Sequence, residues 1–329
     1  MKMRVIAAIA ATCLFTGVGH ADTRKTVNVI LFAGGSAMPL YVAQEKDFFA
    51  REGLVVNVTA TPSSGYQMSN LVAGRYDIAG TAIDNLVAYM EGMGTAKLSR
   101  QPDLITIFGG SSTELALMAQ KDIKSYADLK GKEFALDSLS TGYAFVLRRA
   151  LQKNGLTPND YKFVPFGGTR ERVAALRAGK ATAALVNEPF SSVLRNEGFS
   201  DLGDTVQTVG PYQAGVQITN REWAAKNEAT VVAYIRGLMR AIDWIYDPKN
   251  KDEAIKILAA HVRIPEAAAR RTVDGLTQGR AALHPKGVID MEGVRNVLAL
   301  REEYGQPKKK MSAPEKYIEL RYYNKAIGK

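Results

Sequence analysis

The chain has 329 residues with 46% hydrophobic and 23% charged side chains, a composition that excludes a disordered or fibrous polymer and a length that suffices for two packed cores. Lys and Arg outnumber Asp and Glu by 43 to 33, but the excess is diffuse. Its densest run, Lys308-Lys309-Lys310, has no interleaved aromatics and no nucleic-acid motif beside it, so it reads as a solvated tail and no nucleic-acid partner is expected.

Met1-Lys2-Met3-Arg4 followed by an apolar run from Val5 to Val18 has the order of a secretory signal peptide. Small residues at Gly19 and Ala21 place the expected cleavage after Ala21, so residues 1–21 are read as a leader. The apolar run is too short for a spanning helix. Cys13, the single cysteine, lies within it, and a chain starting at Asp22 has no thiol chemistry. The rival role for Cys13, lipid attachment, lacks a Leu-rich approach, since Ala10-Ala11-Thr12 precede it.

A β-prone run from Thr26 to Leu31 is broken by Ala33-Gly34-Gly35-Ser36-Ala37. A helix is expected next, with Pro39 in its first turn, an apolar face of Leu40, Tyr41, Ala43, Phe48 and Phe49, and Gly53 at its end. Leu54 to Thr59 alternates as a strand, Ser63-Ser64-Gly65 turns the chain, and Tyr66 to Ala73 is helical up to Gly74. This strand, loop, helix, strand grammar is that of an α/β layer with a mainly parallel sheet.

Two distant segments share one pattern. Leu71-Val72-Ala73-Gly74-Arg75 and Leu176-Arg177-Ala178-Gly179-Lys180 each read as a helix closing on a left-handed glycine before a short apolar strand. Each strand is expected to end in polar residues, Asp84-Asn85 in one copy and Asn187-Glu188 in the other. Chance likeness between helix–strand junctions is the plainer explanation, and two lobes built alike is the other. The second lobe reads as a strand from Glu133 to Leu136, a turn over 138–142, and a helix from Tyr143 to Lys153. A strand from Tyr161 to Phe166, the turn Gly167-Gly168-Thr169 and a helix from Arg170 to Ala178 follow. Beyond Gly215 come helices around Glu222-Trp223, Val231 to Tyr246 and Asp252 to His261. Crossovers near 109–119 and 210–217 divide the chain into lobe one, residues 22–119 and 215–329, and lobe two, 120–214, joined by a two-stranded hinge.

Parallel α/β sheets bind ligands outside the carboxyl ends of their strands, where helix N-termini carry partial positive charge. The loops there are rich in Ser, Thr and Gly, which also form ordinary turns and caps. Four such loops in two lobes point to a ligand site formed by Gly34, Gly35, Ser36, Ala37, Ser63, Ser64, Gly65, Ser140, Thr141, Gly142 and Thr169. Asn187 joins the site; Tyr41 and Tyr143 stand near enough to stack on a planar ligand, where single aromatics more often belong to a core, Asp84 and Glu188 to hold an ammonium or amide, and Arg170 either pairs an anion or forms the commoner surface salt bridge. Catalysis has little support. His261 and His284 fall away from these loops, and no metal-ligand cluster, nucleophile turn or phosphate-binding loop is present. No cofactor and no metal are expected.

The run Pro39-Leu40-Tyr41-Val42-Ala43-Gln44-Glu45-Lys46-Asp47-Phe48-Phe49-Ala50-Arg51-Glu52-Gly53-Leu54 resembles the first helix of a family of bacterial ABC-transporter solute-binding proteins, the group that includes binders of taurine, alkanesulfonates and thiamine pyrimidine precursors. Ser64-Gly65, the Leu-x-Ala-Gly-x-x-Asp-Ile-Ala run, Ser125-Tyr126-Ala127-Asp128-Leu129-Lys130-Gly131-Lys132 and Asn187-Glu188-Pro189 continue the likeness. The resemblance implies a two-lobed type II periplasmic binding fold and a periplasmic monomer. It also implies a small-molecule ligand enclosed by hinge closure and delivered to an ABC-transporter permease. The bare loop Ala33–Ala37 favours a sulfonate, carboxylate or related anion over a thiamine precursor. The alternative is an exported sensing subunit or an enzyme acting on such a heterocycle.

Overall fold

The computed structural model describes residues 24–279 and 281–329, so the expected leader, with Cys13 and the cleavage point after Ala21, lies outside the described residues. The strands are β1 (Lys25–Leu31), β2 (Leu54–Ala60), β3 (Ile78–Ala82), β4 (Leu104–Ser111), β5 (Ala116–Ala119), β6 (Lys132–Leu136), β7 (Tyr161–Pro165), β8 (Ala183–Val186), β9 (Ser200–Asp204) and β10 (Gly215–Asn220). They form two five-stranded sheets, ordered β2-β1-β3-β10-β4 and β7-β6-β8-β5-β9. In each, four strands run one way and the fourth in order, β10 or β5, is antiparallel to both neighbours. Both antiparallel strands arrive from the other half of the chain. The sheets therefore share one topology, and the boundary expected at 119/120 shifts: β5 completes the second sheet, so the crossings are residues 112–115 and 205–214.

The helices are α1 (Met38–Glu45), α2 (Phe48–Arg51), α3 (Ser64–Val72), α4 (Ile83–Met90), α5 (Gly142–Lys153), α6 (Thr169–Arg177), α7 (Phe190–Asn196), α8 (Arg221–Lys226), α9 (Glu228–Tyr246), α10 (Lys251–Val262), α11 (Glu266–Gln278), α12 (Met291–Tyr304) and α13 (Arg321–Ala326). They cover strands that are buried on both faces, which is why β5 and β8 read Ala-Leu-Met-Ala and Ala-Ala-Leu-Val without alternation. The repeated glycines close α3 and α6 identically. Gly74 and Gly179 have φ of 75° and 66°. In one copy Gly74 donates to Leu71 O and Arg75 to Asn70 O; in the other Gly179 donates to Leu176 O and Lys180 to Ala175 O. One expected helix divides. α1 stops at Glu45, and Asp47, left-handed at φ 56°, starts the short α2. Asp84 and Asn85 also move: β3 ends at Ala82, and both lie in the first turn of α4.

A buried ion pair of lobe one reaches into lobe two through Ser140 and Gly142. Arg301, on α12, donates from Nε to Asp84 Oδ1 at 2.8 Å and from Nη2 to Oδ2 at 2.6 Å, with side-chain exposures of 0% and 1%. Arg301 Nη2 also reaches Ser140 O at 2.8 Å, and Gly142 N–H, the first donor of α5, reaches Asp84 Oδ2 at 2.5 Å. A Cβ on Gly142 would lie 2.4 Å from the Tyr212 hydroxyl and 2.7 Å from Asp84 Cγ, so no side chain fits between the lobes there.

A second clasp holds the C-terminal segment. Glu91, just past α4, accepts from Lys309 and Lys316 at 2.5 Å each and from Tyr317 Oη at 2.8 Å. Burial acts to raise its pKa, but these partners outweigh it and hold the carboxyl at about 2 against an ordinary 4.5. Because the folded value is depressed, the stabilisation is complete above about pH 4.5 and is lost as pH falls through about 2. Glu91→Gln is expected to lower unfolding free energy by about 2 kcal/mol at pH 7, and the gap between variant and parent in thermal melts should shrink as pH is lowered from 6 to 2. At the interlobe pair, Gly142→Ala should cost roughly 1–3 kcal/mol and Arg301→Leu roughly 3–5 kcal/mol in urea denaturation; a Gly142→Ala protein as stable as the parent would show that the lobes are not held by this contact.

Candidate functional site

The carboxyl ends of β1, β3, β6 and β8 face one another across the gap between the sheets, and the residues that follow them, Phe32, Asp137 and Asn187 among them, line it. Three chambers of about 70, 60 and 110 Å³ share Ser36 and Asn187. Because they share these side chains, the three chambers are parts of one interlobe cleft.

Arg172 is the electrostatic centre of the first chamber. It lies on α6 three residues after Thr169, which puts both side chains on one helix face. Arg172 donates from Nη2 to Thr169 Oγ1 at 3.0 Å and from Nη1 to Gly167 O at 3.3 Å, and Thr169 Oγ1 in turn donates to Asn187 Oδ1 at 3.0 Å. The side chain is only 4% exposed, yet its Nε has no hydrogen-bond partner. Burial draws its pKa down and the charge of Asp137 pushes it back up; a guanidinium stays protonated at neutral pH regardless. Across the chamber Asp137 Oδ1 accepts from Ser64 N at 3.2 Å. The Tyr143 and Tyr212 hydroxyls have pKa values raised first by burial, so both are neutral, and Tyr212 Oη is buried without a partner.

The structure brings Ser36, Ala37, Asp84, Thr141, Gly142, Tyr143, Thr169 and Asn187 to the first two chambers, and Gly35 and Glu188 to the third. It places the others elsewhere. Tyr41 is core, stacked on His261 at 4.5 Å, with burial pushing its hydroxyl up to about 12. Ser63 caps α3 by accepting from Tyr66 N, and Ser64 N and Pro62 O instead bond the facing lobe at Asp137 and Gly168. Gly65 packs toward Ala96, and Gly34 lies behind Asn187. Ser140 supplies its carbonyl to Arg301. Two expected roles for acids do not hold: Asp84 is occupied by Arg301 and Gly142, and the Glu188 carboxylate is occupied by Ser192 and Arg195. Arg170 points away, donating to Val262 O at 2.9 Å.

Sequence reasoning missed Arg172, Asp137, Asn85 and Arg301. For Arg172 a signal existed in its spacing from Thr169; for Arg301, 217 residues from Asp84, none did. His284, expected to be remote, sits on the hinge. Its Nε2 lies 3.0 Å from Ser112 Oγ and its Nδ1 2.9 Å from Val288 O, while its N–H donates to Gly110 O. Ser112 borders two of the chambers.

The chain is 28% identical over 269 residues to the nitrate/nitrite binding protein NrtA of Synechococcus elongatus, a match that takes in 74% of this chain and 60% of that protein's length. The solved periplasmic nitrate-binding protein NrtA from Synechocystis PCC 6803 superposes with a TM-score of 0.74 at 18% identity, over 92% of this chain and 88% of that one. The alkanesulfonate-binding protein SsuA from Xanthomonas axonopodis pv. citri, bound to MOPS, superposes with a TM-score of 0.70 at 19% identity, over 91% and 100%. These superpositions show the two-lobed α/β architecture of a periplasmic binding protein. Residues 21–259, most of the chain, match the family model described as NMT1-like, and the chain belongs to the NMT1-like family.

Proposed function

We propose that this chain is the solute-binding subunit of an ABC import system, working in the periplasm: it captures a small anion between its lobes, performs no chemistry on it, and hands it to a membrane permease. One observation carries the reading. Arg172 is buried in the interlobe cleft with an unpartnered Nε, beside the N-terminus of α6. A buried cationic donor left unpaired is costly, and an oxoanion accepting from Nε and from α6 offsets that cost. The relatives named for nitrate and alkanesulfonate support the same class of ligand.

A second reading has one observation in its favour. In the neutral ring, His284 Nδ1–H donates to Val288 O and leaves Nε2 to accept from Ser112 Oγ, the geometry of a nucleophile beside a base. The orienting group is a carbonyl and not a carboxylate, so the pair reads better as a hinge tie. Mass spectrometry of ligand recovered after incubation decides between the readings, since unaltered ligand excludes turnover.

A thermal-shift series with nitrate, bicarbonate, acetate and methanesulfonate, each against chloride at equal ionic strength, tests the main reading. A ligand at about 100 times its Kd should add about 2.7 kcal/mol to stability, and no shift with any of them would count against an anion site. Arg172→Gln should weaken the best binder by roughly tenfold or more while leaving the far-ultraviolet circular dichroism unchanged.

A further inference from the structure

Two helix N-termini in the cleft are occupied differently. At the start of α6 the nearby cation, Arg172, keeps an Nε with no partner among the described residues. At the start of α5 the first N–H already holds a carboxylate, but it is the protein's own: Asp84 accepts from Gly142 N and is gripped from the other side by both Nε and Nη2 of Arg301. One helix start and one guanidinium thus converge on a single carboxylate, which itself stands in the first turn of α4. The Tyr212 hydroxyl beside it, 2% exposed, has no partner. These are the parts of an anion-binding position, filled from within.

We propose that Asp84 is an internal anion that permanently fills the α5 position, so that the cleft accepts a ligand carrying one negative group, at Arg172, and rejects one carrying two. The proposal rests on the cleft being the ligand site. Its physical basis is charge. A second anionic group on a ligand held at Arg172 has the α5 start closed to it and faces Asp84 and Asp137, both of which line the same chamber. Removing Asp84 reverses this by exposing Arg301, Gly142 N–H and the Tyr212 hydroxyl to whatever anion enters.

The test uses the full-length protein with formate, acetate and oxalate as probes. Asp84→Ala is expected to melt below the parent, and formate at about 50 mM is expected to recover more of that loss than chloride at equal ionic strength, because it binds only the folded hole. In the parent, acetate binds more tightly than oxalate. The ratio of oxalate to acetate Kd should fall by roughly tenfold or more in the double variant Asp84→Asn/Arg301→Gln, which removes the carboxylate without stranding a buried cation. A purely structural role for Asp84 moves stability and leaves that ratio alone. An unchanged ratio, a parent that binds oxalate as tightly as acetate, or an Asp84→Ala protein no more responsive to formate than to chloride each overturns the proposal. So does failure of both variants to fold in formate, which assigns the residue to folding alone. If the parent binds neither acetate nor oxalate, the solute-binding reading loses its support, while formate rescue of Asp84→Ala still decides whether the α5 start is an anion position.

Discussion

The Asp84–Arg301 pair of the first lobe fixes how the second lobe meets it, through Gly142 N–H and Ser140 O. A fully buried carboxylate–guanidinium pair adds little net stability, because removing both charges from water offsets most of their attraction. Its effect is geometric. A bidentate pair tolerates one arrangement, and here that arrangement also includes Gly142 N–H and Ser140 O from the second lobe. α12, which carries Arg301, packs on α4 and α5 together, so one helix reads the position of both lobes at once. The narrow chambers follow from this closeness.

Two buried guanidiniums divide the work of the cleft. Arg301 has its charge matched by Asp84 and its guanidinium seated over the Phe145 ring, 4.9 Å from the ring centroid, so it is a finished structural unit. Among the described residues Arg172 hydrogen-bonds neutral acceptors, a hydroxyl and a carbonyl. The same side chain in two environments thus yields a fastener in one place and an unfilled acceptor of negative charge in the other. Asp137 tempers that charge without cancelling it.

What the sequence made legible was local. Gly74 and Gly179 announce left-handed caps because only glycine adopts that conformation without strain, and the matched hydrogen bonds that follow lie within six residues. Strand and helix identities followed from periodicity in the same way. Long-range choices were not legible. Ala116–Ala119 is as apolar as any central strand, and nothing in it says which sheet it joins. The break at Asp47 hides because an aspartate, not a glycine, takes the left-handed turn. Asp84 looked like a ligand group because its partner lies in a helix 217 residues away. The loop 63–65 was read as a binding loop for its composition, but polar turn residues serve equally well to tie one lobe to the other.

The exchange of strands between the sheets bears on the order of assembly. Within its sheet β4 pairs only with β10, which also separates it from β3. Until residues 215–220 arrive, the first lobe consists of three paired strands and a detached fourth. All of the second lobe's strands precede β10 in the chain, so that lobe is the first to have its complete sheet available. A chain emerging from its N-terminus therefore has its second sheet complete before its first, and a truncation between Ser111 and Gly215 leaves the first sheet open at its middle, not merely shortened at an edge.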